Sequence, residues 1–441
     1  MSLGWFDKIV QRIRDCASSL PDARLGKNTH LSMQDIALSA FSVFFTQCPS
    51  FLSHQSQMKK ARGRSNAQSL FQIQQVPSDN HIRQVLDPIE PSHLHGLFDD
   101  IYHAFEQRGV LEAMKAVNQT QLIALDGTWY FSSQSENIHC ENCSCMEHKN
   151  GQKTHYHSAI TPVVVSPGHA EVVALKPEFI VKQDGHDKQD CEIAAAKRWL
   201  NKHAKQYAAD NSTLLGDDLY AHQPFCRQAL LHGFHFLFTC KPSSHTHLAR
   251  WIEDLEKGGQ IAFRREQHRD KRNRRETHEY RWAHGVPLSS GEAPLKVNWL
   301  EVRIIDDQGK QIYHSSWITD WEINEKNVVG LVAGARARWK IENENNNVLK
   351  TKGYHLRHNF GHGKKHLSSL MATMNLLAFA LHTLLHMEEP SYRLIRDELP
   401  TRKIFFEHVR ALTHYHFFES WTELLDFMMK GLEIGPYAKK A

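Results

Sequence analysis

The sequence predicts an α/β protein: a mixed sheet with helices on both faces, a β-rich insert, and helical regions towards either end. Three observations carry this. Two short apolar runs, 121–131 and 212–220, each bring carboxylates to or near their ends and are separated by hairpin and helix signals. Residues 1–118 look helical and lack strand alternation. Residues 241–330 replace the strand–helix rhythm with a dense basic stretch and then a strong hairpin pattern.

Composition bounds the rest. A chain of 441 residues can bury the cores of two or three domains, and 41% hydrophobic with 23% charged residues is a soluble, globular balance. A net charge of +4 does not by itself demand nucleic acid, so the placement of charge matters more than its sum. A signal-peptide pattern is absent, and the eight cysteines comprise a tight trio and five scattered ones. Reduced thiols with one metal cluster, in a cytoplasmic protein, are therefore expected. The stretch 367–385 is Leu-, Met- and Ala-rich, but Ser368, Ser369, Thr373, Asn375 and His382 interrupt it; it reads as a buried helix, and no membrane partner is expected.

Within 1–118, Ser32 can cap a helix from Met33 through Phe41, and Ser78 or Asp79 one through Leu86. Between them the basic segment 59–65 reads equally as a phosphate contact or a solvated loop. The run 121–131 reads as a buried strand carrying Asp126, with Gly127 marking close backbone approach. An ionised Asp in so apolar a setting calls for a cationic partner or a bound metal.

Next come Cys140, Cys143 and Cys145 with His148, then His155 and His157. Cys-x-x-Cys with further Cys and His close by is ligand spacing for tetrahedral zinc, and Cys140, Cys143, Cys145 and His148 are the expected ligands, with His155 or His157 as substitutes for the last. Two β-rich runs, 157–165 and 170–180, are joined by a Ser-Pro-Gly-His turn. Asp190 can cap a helix over 191–207. The second acidic strand, 212–220, offers Asp217 and Asp218, and after a helix through Leu231 a further strand covers 234–241.

In the insert, Arg264, Arg265, Arg269, Lys271, Arg272, Arg274 and Arg275 crowd into twelve residues, a density that points to phosphate contact over a merely solvated face. A hairpin over 297–318 turns at Asp306–Lys310. From Asn327 the chain reads as helical, placing Arg338 and Glu342 four apart on one face. Asp126, Asp217 or Asp218, and Glu342 are hard oxygen donors suited to Mg²⁺, and two such ions can activate water for phosphodiester displacement.

Leu-Asp-Gly-Thr at 125–128, Gly-Asp-Asp-Leu-Tyr at 216–220 and Arg-Trp-Lys-Ile-Glu at 338–342 together resemble the DDE transposases of bacterial insertion sequences. The resemblance runs from about 77 to 386, and is closest to the branch with a β-strand insert and a Tyr-x2-Arg-x3-Glu-x6-Lys signature. Ala335 stands where the Tyr belongs, and Lys350 comes one residue late. The resemblance implies an RNase H-like catalytic domain at 119–386, with the basic insert at about 241–330, between a helical DNA-binding region at 1–118 and a helical C-terminal region at 387–441. It selects Asp217 over Asp218 through the spacing to Tyr220, making Asp126, Asp217 and Glu342 the catalytic, metal-holding acids. It implies Mg²⁺ or Mn²⁺, two per site, and phosphate contacts from Arg338 and Lys350. The partner would be double-stranded DNA, as terminal inverted repeats and target, bound by a homodimer. Trp299 and Trp317 become candidates to stack on a flipped base. The alternatives are a domesticated DNA-binding protein without catalysis and a zinc-organised structural module.

Overall fold

The computed structural model describes residues 4–58, 65–135, 138, 140, 142–181, 191–208, 211–270 and 272–438. Residues 59–64 of the basic segment, the expected cap Asp190, and Lys271 lie outside the described residues. In chain order the strands are β1 (Gln121–Ala124), β2 (Gly127–Ser133), β3 (Ser144–Glu147), β4 (Lys153–Ile160), β5 (Val163–Val165), β6 (Val173–Ala174), β7 (Glu178–Ile180), β8 (Ser212–Gly216), β9 (His235–Thr239), β10 (Ala262–Arg269), β11 (Arg275–Pro287), β12 (Lys296–Asp306) and β13 (Gln311–Thr319). Nine of them form one mixed sheet in the order β10-β11-β12-β13-β9-β8-β1-β5-β6, and β2, β4 and β3 form a second, to which β7 adds through β4.

β1 pairs in parallel with β8, and β8 with β9, whereas on the other side of β1 the strand β5 pairs antiparallel with β1 and β6 antiparallel with β5. Every residue of β1 and β8 is buried, which is why both read as continuous apolar runs rather than alternating ones.

The single strand expected over 121–131 is two. The chain turns a corner at Leu125–Asp126, where β1 leaves the large sheet and β2 enters the small one. The partner strand bends at the same level: β4 pairs with β2, β5 pairs with β1, and Thr161 and Pro162 lie between. Pro162 has no N–H to continue a ladder, which favours the break there. The corner is tied by the Thr161 N–H donating to the Asp126 carbonyl at 3.2 Å.

The insert is continuous with the large sheet, joined through the pairing of β13 with β9. Its basic stretch is neither a helical face nor a plain loop but the hairpin of β10 and β11, with Arg264 opposite Tyr280, Arg265 opposite Glu279 and Arg269 opposite Arg275. Trp299 and Trp317 face inwards, at 5% and 2% exposure, and so belong to the sheet's core.

The helix Leu367–Glu388 is buried from Leu367 through Leu385, as a core helix. Around it the N- and C-terminal helices, expected as separate regions, share one layer. The Asn66 amide donates to the carbonyls of Thr413 and His416 at 2.9 and 2.8 Å, and the Trp421 indole donates to Leu70 O at 2.8 Å. Trp421 also stacks on Phe6 at 4.4 Å between ring centres.

Candidate active site

Asp126 sits on the corner between the two sheets, and a relay of amides fixes it there. Asn346 Nδ2 donates to Asp126 Oδ2 at 2.9 Å, and the Thr161 hydroxyl donates to Asn346 Oδ1 at 2.9 Å. Burial pushes the Asp126 carboxyl up to about 7, and the charges of Glu192, Glu342 and Asp217 push the same way, with Arg338 opposing them. The charges of the other two acids expected from the sequence, on two separate segments, therefore both act on Asp126.

The paired Asp217 and Asp218 divide their roles. Asp218 accepts the Lys241 N–H at 2.5 Å, the Ser244 hydroxyl, and lies 3.4 Å from His245 Nε2, so it braces the turn after β9. Asp217 accepts the Leu219 N–H at 2.9 Å and faces the acidic cluster. Tyr220 folds back beneath the end of β8, where a Cβ on Gly216 would press into its ring at 2.8 Å.

That tyrosine exposes a residue the sequence reading missed. Tyr220 Oη donates to Glu192 Oε1 at 2.6 Å, and a Cβ on Gly127 would overlap Glu192 Oε2, so the glycine beside Asp126 makes room for a fourth carboxylate. Burial raises the Glu192 carboxyl above its usual range, against the Tyr220 hydrogen bond. Glu192 opens the helix Glu192–Tyr207, and an acid there resembles ordinary first-turn dipole compensation, which hid it. Beside it Trp129, 39% exposed, stacks on Tyr156 at 4.2 Å and lines an open cavity with Gly127 and Glu192.

The helix expected from Asn327 is interrupted. Val328–Arg336 is α-helical, Ile341–Asn346 forms a wide π-helical turn, and Asn347–Thr351 resumes the α-helix. Arg338 bridges Glu342 at 2.8 Å, and buried Lys340 donates to Ser166 O at 2.5 Å and to His169 O, pinning the turn to the loop after β5. Lys350 follows this wide turn on the resumed helix, half-buried, with the charge of Asp126 among those acting on it.

The basic hairpin carries less free charge than its sequence suggests. Arg264 pairs with Glu266, Arg265 with Glu279 at 2.5 Å, and Arg274 with Asp270 at 2.7 Å. Arg269 reaches Asn273 O at 3.1 Å, while Arg272 and Arg275 have no carboxylate partner among the described residues.

No protein-family model matches this chain, and no curated protein is similar to it.

The Cys and His residues expected to bind metal are only partly brought together. Cys140, Cys143 and His157 converge with His362, a residue from the far side of the chain, and these four could hold a metal ion. Cys145 lies exposed on β3, and His148 Nε2 is bonded to the Thr154 hydroxyl at 2.8 Å, so neither joins them. Nothing local in the sequence marks His362, which stands more than two hundred residues from its partners.

Proposed function

We propose that this chain is a DNA transposase of the DDE class, which binds the terminal inverted repeats of an insertion sequence and cleaves and joins DNA strands. The observation that supports it most is that the charges of Asp217, Glu342 and Arg338 all act on Asp126 at the corner between the sheets, with Arg338 paired to Glu342 and Lys350 within reach of the Asp126 charge. The strand order lends further support: two parallel strands on one side of β1 and two antiparallel ones on the other suit an RNase H-like core.

By the chemistry of its donors the set suits a divalent cation. Its atoms are hard carboxylate oxygens, and their mutual repulsion is what a cation relieves. When bound, two Mg²⁺ or Mn²⁺ ions supply water activation and stabilise the leaving oxygen of an in-line displacement. Asp126, Asp217 and Glu342 would hold them, Asn346 would keep Asp126 in place, and Lys350 and Arg338 would offer charge to the scissile phosphate. Glu192, steadied by Tyr220, would orient the attacking water. The basic hairpin, in this reading, follows DNA away from the site in a homodimer.

The test is a nicking assay on a duplex carrying the inverted repeats that flank the gene, with Mg²⁺ added. Wild type should nick at the element end. Asp126→Asn, Asp217→Asn and Glu342→Gln should each abolish nicking while end binding persists, and Asp218→Asn should still cut. End binding by wild type without any nicking would point instead to a domesticated binding protein, and neither binding nor nicking would overturn the proposal.

A further inference from the structure

Four soft donors meet outside the acidic cluster. Cys140 Sγ lies 3.8 Å from Cys143 Sγ and 3.5 Å from His157 Nε2, while Cys143 Sγ lies 3.4 Å from His157 Nε2 and 3.3 Å from His362 Nε2. The two imidazole Nε2 atoms are 3.0 Å apart. A tetrahedral zinc with Zn–S of about 2.3 Å and Zn–N of about 2.0–2.1 Å requires edges of roughly 3.8 Å between sulfurs and 3.3–3.6 Å for the rest. The sulfur–sulfur edge and the three sulfur–nitrogen edges follow that pattern, the two imidazole nitrogens stand closer than it requires, and all four donor atoms lie within 4.8 Å of one another. Both cysteines are free thiols, so a disulfide does not account for their approach.

The surroundings are arranged for ligation. His362 Nδ1 lies 3.3 Å from Gly363 O, and donating there leaves the Nε2 lone pair for a metal. The Cys140 N–H points at Cys143 Sγ at 3.4 Å, and the Cys143 N–H donates to Cys140 O at 3.2 Å, the tight turn that a Cys-x-x-Cys pair needs to present both sulfurs to one ion. Tyr130 stacks on His157 and Phe131 packs against His362, walling the group with aromatic rings.

We propose that Cys140, Cys143, His157 and His362 bind one zinc ion, which clasps the small sheet to the strap of residues 352–366 ahead of the core helix Leu367–Glu388. Two thiol protons leave to solvent on binding, and the two thiolates balance the charge of the ion. The strap is already drawn tight on its other sides. Asp87 accepts the N–H groups of Lys364, Lys365 and Leu367 at 3.0–3.2 Å, Arg83 Nε donates to Phe360 O at 3.0 Å, and Asn142 donates to Lys365 O at 2.8 Å. Glycines bracket His362 because a Cβ at 363, where φ is +67°, would overlap Asp87. The Leu356 N–H reaches Leu349 O at 3.0 Å, so the clasp bears directly on the turn of helix that carries Lys350.

Full-length protein from zinc-replete cells should carry about one zinc per chain by mass spectrometry of the metal, and Cys143→Ser and His362→Ala should lose it. Cys145→Ser and His148→Ala should keep it. Wild-type protein stripped and reloaded with Co²⁺ should show the visible bands of a tetrahedral site together with thiolate-to-cobalt charge transfer, a readout that stands even if the variants fold poorly. The proposal is overturned by zinc-free protein that neither takes up zinc nor gives those bands, or by zinc that survives His362→Ala and is lost in Cys145→Ser.

Discussion

Asp126 is held in a conflict that only a proton or a cation resolves, and this has a pH signature. Its folded-state value of about 7 lies above the ordinary 3.8, so in metal-free protein this carboxyl contributes stability at low pH that is lost as pH rises from about 4 through 7. Thermal melts in chelator should show wild type losing more stability across that window than Asp126→Asn, and added Mg²⁺ should restore most at the alkaline end. Parallel curves for the two proteins would show that the carboxyl is not strained. Because Glu192 is the largest of the charges acting on Asp126, Glu192→Gln should lower the Asp126 titration, as followed by carboxyl NMR. Tyr220→Phe should cost about 1–2 kcal/mol in denaturant unfolding, since it leaves a half-buried carboxylate without its donor. At this scale the local placement of the candidate acids was legible: Asp126 and Asp217 follow strands and Glu342 lies on a helical turn, as the sequence marks them. Glu192 and His362 were not, because each contributes through folding rather than through its neighbours in the chain.

Among the elements, the corner between β1 and β2 separates what pattern can reveal from what it cannot. An apolar run of eleven residues scores as one strand whichever sheet its halves join, so the break at Asp126 is visible only in the pairing of β4 and β5. The hairpin over 297–318 was plain from its Asp-Asp-Gln-Gly turn, whereas β10 and β11 were hidden beneath their arginines, whose high density is compatible with any element. Half of those arginines are matched by carboxylates across or along the hairpin, which sets the size of the effect the proposed function expects of them on DNA binding. Replacing Arg269, Arg272 and Arg275 with Ala should flatten the slope of log K against log salt by about 2–3, at roughly 0.9 per phosphate. Replacing Arg264, Arg265 and Arg274 should change it less, because each already has an acidic partner. Equal effects of the two triple variants, measured on one terminal-repeat duplex, would mean that the ion pairs open on binding.

At the scale of the whole molecule the ends of the chain support each other. Trp421→Ala should cost about 3–5 kcal/mol in denaturant unfolding, because a fully buried indole in contact with Phe6, Phe45 and Phe71 leaves a cavity between helices from opposite ends of the sequence. A cost near that of a surface substitution would show the two helical regions to be independent, as their separation in sequence suggests. The shared layer was not legible because helical periodicity states which face is apolar and not which helix covers it. It also bears on time. The helix Met33–Phe45 is apolar almost all round, yet Trp421 leaves the ribosome several hundred residues later, tens of seconds at about 5–20 residues per second. During synthesis the helix Met33–Phe45 therefore waits with part of its apolar surface uncovered until Trp421 emerges to pack against Phe45.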